Sequence, residues 1–199
     1  LMSNWGAMMA RIPYPGRWPS ALLRTATLVL LGSAAAVSVA AAPAQMIGQA
    51  APDFALPAFG GDNVRLSEDL GQPVIVSFWS SRCSECAAQL ARLDRLYDTY
   101  RSSGLMVLAV SVDSDMARSQ RYAQEHPTHF PMLLDQAEAV GRAYAIDRLP
   151  STVLIDRSGV IRYLHDGYRA EDRSYITQIR ALLDDADQAP QSALGLSGN

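Results

Sequence analysis

Cys83 and Cys86 are the only cysteines in the 199-residue chain, and they follow directly on an apolar run, Pro-Val-Ile-Val-Ser-Phe-Trp, at 73–79. An unbroken apolar run of that length reads as a strand buried on both faces. Two sulfurs three positions apart, closing a strand and opening a helix, require strand, turn and helix to meet at one end of a sheet. At that spacing the sulfurs reach disulfide distance, and the positive end of a helix favours a thiolate on the first of them. In an oxidising compartment an even cysteine count usually means structural staples. Here the loop closed holds two residues, and the entropy a bridge removes from the unfolded chain grows with loop length, so this bridge would staple little. The pair is therefore read as a redox dithiol.

The remainder of the chain supplies the rest of such a sheet. A helix is predicted over 84–101, where Leu90, Leu93, Leu96, Tyr97 and Tyr100 recur at three- and four-residue spacing. Gly104 ends it, and a second apolar strand at 105–112 completes a right-handed βαβ unit. Further helices are expected at 113–125 and 137–145, with a short strand or extended link at 131–134 between them. Segments 151–156 and 160–164 form a hairpin around Gly159, and a last helix over 171–184 turns Tyr175, Ile176, Ile179, Leu182 and Leu183 to one face. Short edge strands or a hairpin are expected around Gly60-Gly61, within 53–66. The predicted class is α/β: a mixed central sheet with helices on both faces and a short N-terminal β extension.

Charge divides the chain. All 20 acidic residues lie at or after Asp53, whereas Arg11, Arg17 and Arg24 precede it. From residue 45 onward, 14 arginines face 20 acids, a balance of −6 that does not attract nucleic acid. The acid-free leader places arginines first, then an apolar stretch at 26–42, then Ala42-Pro43-Ala44 with small residues suited to cleavage. Residues 1–44 are therefore expected to be a secretory signal peptide, with a retained anchor as the alternative, since 25–42 approaches the length of a spanning helix. Met2, Met8 and Met9 leave the true start open. One domain is expected over 45–187, and a disordered tail over 188–199.

Chemically the two sulfurs should differ. Cys83, at or before the helix start, is expected to be exposed and nucleophilic; Cys86, one turn in, is expected to face the sheet. Cys83 would attack a substrate disulfide, and Cys86 would then displace the reduced substrate from the mixed disulfide. Arg82 should lower the Cys83 pKa and Glu85 should oppose it, although both also read as solvated surface charges. A zinc site is not expected, because its second pair of ligands is missing at the usual spacing. His126, His129 and His165 read as solvated residues of loops and a strand end, and no metal or other cofactor is expected.

The segment Phe78-Trp79-Ser-Ser-Arg-Cys83-Ser-Glu-Cys86, followed by Leu149-Pro150-Ser-Thr-Val-Leu-Ile-Asp156 with Gly159 and Val160, resembles the exported thioredoxin-like proteins of the TlpA type. The resemblance covers about residues 50–185. It implies a thioredoxin fold with Pro150 in cis beside the dithiol. It also implies a substrate-binding surface formed by Trp79, Leu149 and Pro150, with the Leu149 backbone pairing to the substrate as an added strand. Three positions depart from the pattern: Ser77 stands where thioredoxin has a buried aspartate, Gln89 where many TlpA-type proteins have a glutamate, and Arg82 where tryptophan is common. Gln89 is thus expected to influence proton transfer from Cys86.

These features lead to a periplasmic thiol:disulfide oxidoreductase acting as a monomer on disulfide-bonded proteins. It is expected to be resupplied with electrons by a membrane donor of the thiol-reducing type. The family suggests roles such as keeping apocytochrome or other metalloprotein cysteines reduced. The alternative is a copper or haem-delivery chaperone using the same two sulfurs as soft ligands. A thiol peroxidase on this fold ranks last, since no lone cysteine follows a Pro-x-x-x-Thr approach.

Overall fold

The structure, a computed structural model, describes residues 43–184. The expected leader, but for its last two residues, and the whole expected tail lie outside the described residues. The chain runs β1 (Ala55–Pro57), β2 (Asn63–Arg65), β3 (Val74–Trp79), α1 (Cys86–Tyr100), β4 (Met106–Ser111), α2 (Met116–Glu125), β5 (Met132–Leu134), α3 (Ala139–Ala143), β6 (Ser151–Ile155), β7 (Ile161–Asp166) and α4 (Ser174–Asp184). β1 and β2 form the separate antiparallel hairpin. The other strands make one sheet in the order β5-β4-β3-β6-β7. β3, β4 and β5 are mutually parallel, while β6 runs antiparallel to β3 and β7 antiparallel to β6.

Every residue of β3 is buried, as expected for a central strand covered on both sides. Its period of two sends Val74, Val76 and Phe78 to one face, where they meet Leu108, Val110, Val153, Ile155, Val140 and Tyr144. Ile75 and Trp79 point to the other face, among Val107, Ala109, Leu154, Leu90, Leu93, Tyr175 and Ile179. α1 and α4 cover this second face, and α2 joins them through Tyr122; α3 and the N-terminal segment cover the first. Each large apolar side chain so buried contributes about 1.5–3 kcal/mol.

Among the described residues, α1 to α4 each begin two or three residues later than their apolar spacing predicts. Hydrophobic period marks a buried face and is blind to capping. Asp115 accepts from the Arg118 amide at the start of α2, Asp135 accepts from the Ala139 and Gly141 amides at the start of α3, and Asp172 accepts from the Ser174 amide before α4. These carboxylates stop the helices where the first free N–H groups need acceptors. On α4 the buried face is Tyr175, Ile179 and Leu182; Ile176, expected with them, is 38 % exposed on the flank.

Candidate functional site

β3 delivers the chain to the carboxyl end of the parallel strands, where the Val112 amide still bonds the Trp79 carbonyl at 3.0 Å. Ser80 and Ser81 then turn the chain, and the Cys83 amide donates to the Ser80 carbonyl at 3.1 Å. Cys83 and Cys86 are joined in a disulfide with Cα atoms 5.4 Å apart. Cys86 is the first residue of α1, not one turn in as the sequence suggested, because 84–85 form a turn and Glu85 supplies no side-chain cap. The sulfurs nevertheless differ as expected in access. Cys86 is fully buried with Trp79, Ile75 and Leu90, while Cys83 is half-buried at the edge of that cluster.

Leu149-Pro150 is a cis peptide. Leu149 shares a shallow opening of about 400 Å³ with Ser80, Arg82, Cys83, Ser84, Glu85 and Asp147, so the segment before the proline and the outer sulfur line one depression. Pro150 is itself buried, and its carbonyl accepts from the Gly167 amide at 2.7 Å. Among the described residues the Leu149 backbone has no hydrogen-bond partner. Arg82 and Glu85 are both exposed in the opening.

Trp79 does not belong to this surface. It is 0 % exposed, stacked on Tyr122 with ring centroids 4.9 Å apart, because the last residue of a central strand points under the covering helices. Gln89 is buried too, on the inner face of α1. Its amide donates to Thr152 Oγ1 at 3.1 Å and to the Tyr175 hydroxyl at 3.0 Å. Ser77, fully buried, lies 3.4 Å from the same Thr152 oxygen. The position opposite α1 is thus an uncharged network of two hydroxyls, an amide and a phenol.

The histidines are more engaged than their sequence context suggested. His126 stacks on Tyr122, and His165 stacks on Tyr175 with Nε2 2.6 Å from Gln178 Oε1. His129 Nδ1 lies 3.0 Å from Asp94 and 3.5 Å from Asp98. Packing and pairing across elements, which no local motif records, account for His129 and His165, while His126 caps α2 and packs on Tyr122 one turn earlier. Sequence reasoning also passed over Asp113, taken as the start of a helix. It is 7 % exposed and accepts from Ser80 Oγ at 2.5 Å, the Ser81 amide at 2.7 Å and Ser119 Oγ at 3.0 Å. Burial alone would raise its pKa, and these hydrogen bonds outweigh burial and lower it. The available signal was an acid directly after an apolar strand, at the sheet end where the cysteines lie.

An outer sulfur open to other proteins and an inner one held in the core, at the carboxyl end of a thioredoxin-type sheet, define a thiol:disulfide oxidoreductase working through a C-x-x-C pair. Residues 47–164 match the model of the AhpC/TSA family, and the chain belongs to that family. It is 30 % identical over 151 residues to the thiol-disulfide oxidoreductase ResA of Geobacillus kaustophilus, covering 73 % of this chain and 87 % of the relative. Against ResA of Halalkalibacterium halodurans the identity is 31 % over 124 residues, 62 % of this chain and 70 % of the relative. Among solved structures, a protein of Chlorobium tepidum described as a thiol:disulfide interchange protein DsbE superposes with a TM-score of 0.66 at 32 % identity, covering 69 % of this chain and 97 % of that one. The resemblance to TlpA-type proteins agrees with all three.

Proposed function

We propose that the chain is an exported reductase of protein disulfides, with Cys83 the attacking sulfur and Cys86 the resolving one. The observation that carries the reading is the asymmetry of the pair: Cys83 stands half-exposed in the opening shared with Leu149, and Cys86 is sealed in the core. A substrate disulfide approaches along the Leu149 backbone, whose free N–H and C=O pair with it as an added strand. The Cys83 thiolate attacks one substrate sulfur and the other leaves as a thiolate that takes up a proton. Cys86 then attacks Cys83 within the mixed disulfide and releases the second substrate thiol. Two electrons pass to the substrate, and the enzyme is left oxidised.

Regeneration needs a dithiol donor, and a membrane protein of the thiol-reducing type fits an exported enzyme. The leader at 1–44, with arginines ahead of an apolar stretch, supports export, cleaved or retained as an anchor; among the described residues no helix is long and apolar enough to cross a membrane. A monomer exposes the opening fully, and apocytochrome cysteines are a fitting substrate class. The test is the potential of the dithiol against glutathione. A value near that of thioredoxin, about −270 mV, supports a reductase, and one near that of DsbA, about −120 mV, refutes it in favour of an oxidase.

A further inference from the structure

Asp113 is a buried carboxylate that the dithiol exchange just described does not use. A buried charge is costly unless its oxygens are satisfied. Among the described residues no arginine or histidine forms an ion pair with Asp113. Its partners are all neutral donors, and two of the three belong to the turn that carries Cys83. The third, Ser119 Oγ, comes from α2 and also lies 2.9 Å from Ser111 Oγ, tying the carboxylate to rigid elements on its far side.

The turn is held amide by amide. The Ser81 N–H donates to Asp113 Oδ2 at 2.7 Å. The Arg82 N–H donates to Ser80 Oγ at 3.2 Å. The Cys83 N–H donates to the Ser80 carbonyl at 3.1 Å. Ser80 Oγ has a single hydrogen and gives it to Asp113, which leaves its lone pairs facing the Arg82 amide. Asp113 therefore fixes the first of the three amides directly and the second through Ser80. None of these contacts involves a sulfur, so opening the disulfide leaves them in place.

We propose that Asp113 is the positioning residue of the dithiol: through Ser80 and Ser81 it keeps Cys83 facing Cys86 when the pair is reduced, and so sets the effective concentration of one sulfur at the other. The inference rests on the dithiol-exchange reading. Reclosure converts an intermolecular mixed disulfide into an intramolecular bond, and its advantage depends on how little the two groups wander. Loosening the turn weakens the internal disulfide relative to the dithiol, in the balanced reaction of the protein disulfide with two glutathione thiols to give the protein dithiol and glutathione disulfide.

Asp113→Asn and Ser80→Ala are equilibrated against glutathione mixtures beside the wild type, and thermal melting is recorded for each. Each variant is expected to weaken the internal disulfide about tenfold, a rise in potential of about 30 mV. Asp156→Asn is the control for stability alone. Asp156 is another buried, hydrogen-bonded carboxylate, but it follows Ile155, which pairs with Val74 at the opposite end of β3; its melting temperature should fall with no change in potential. Potentials of both site variants equal to wild type overturn the role of Asp113. So does a shift with Asp113→Asn alone, which would mark a charge effect, and so does an equal shift with Asp156→Asn. Should Asp113→Asn not fold, Ser80→Ala decides, because it keeps the carboxylate and its bonds to Ser81 and Ser119. A wild type with no reversible equilibrium would instead refute the dithiol reading itself.

Discussion

Gln89→Glu places an ionisable carboxyl at a position 1 % exposed on the inner face of α1, three residues after Cys86. The amide there donates to Thr152 Oγ1 and the Tyr175 hydroxyl; a carboxylate loses both donations, although the two hydroxyls can rotate to donate to it. Burial disfavours the charged form, so the folded-state pKa of the new carboxyl lies above its unfolded value of about 4.3. The destabilisation is therefore absent below the unfolded pKa and grows as pH rises towards the folded one. If the group stays protonated at pH 7, the linkage penalty reaches its ceiling of about 3.7 kcal/mol, from about 1.4 kcal/mol per pH unit; at pH 4.5 the same group costs less than about 1 kcal/mol. Urea denaturation of both proteins at the two pH values reads this difference. An equal loss at both would refute the reasoning, since it would mean that the carboxyl titrates as if in water. Above its folded pKa the carboxylate also accepts the Cys86 proton, and resolution of a trapped mixed disulfide should quicken. An unchanged rate would show that the proton leaves by another route.

Gly159→Ala should lose at least about 1 kcal/mol in urea denaturation, because Gly159 has φ +83° and an added Cβ would stand 3.0 Å from Leu70 Cδ1. Phe78→Ala empties a fully buried site whose ring centroid lies 5.3 Å from that of Tyr144, and about 3–5 kcal/mol should be lost in the same assay. Burial works to raise the Asp156 pKa, but hydrogen bonds from Ser158, the Val160 amide and Arg162 more than offset it, and the pKa is lowered. A depressed folded-state pKa gives stability that is present above the unfolded value and is lost as pH falls through the folded one. Wild type and Asp156→Asn should therefore differ in stability at pH 7 and converge in acid below the usual carboxylate range; a constant gap would contradict this.

Much of the site could be read in the sequence because its chemistry is local. The Cys83-x-x-Cys86 spacing, the apolar run before it and the Leu149-Pro150 segment are short, contiguous signals, and the structure brings the first and last to one opening. The sheet was legible for a similar reason: its central strands β3 and β4 are apolar runs and its hairpin carries a marked turn at Gly159. What stayed hidden depends on contacts between distant parts of the chain. Asp113 meets Ser80 across 33 positions and Gln89 meets Tyr175 across 86, distances over which spacing carries no information. Trp79 illustrates the converse. The resemblance to TlpA-type proteins implied a surface role for it, but strand alternation under three covering helices puts its ring in the core.

Alkylation of the reduced protein with iodoacetamide at neutral pH, quenched over time and mapped by mass spectrometry, asks whether one sulfur faces outward and the other is sealed. Cys83 should be modified first and nearly alone, with Cys86 labelled only as the protein opens. Labelling of Cys86 at the same rate or sooner, or no labelling of either, would show that Cys83 is not the attacking sulfur.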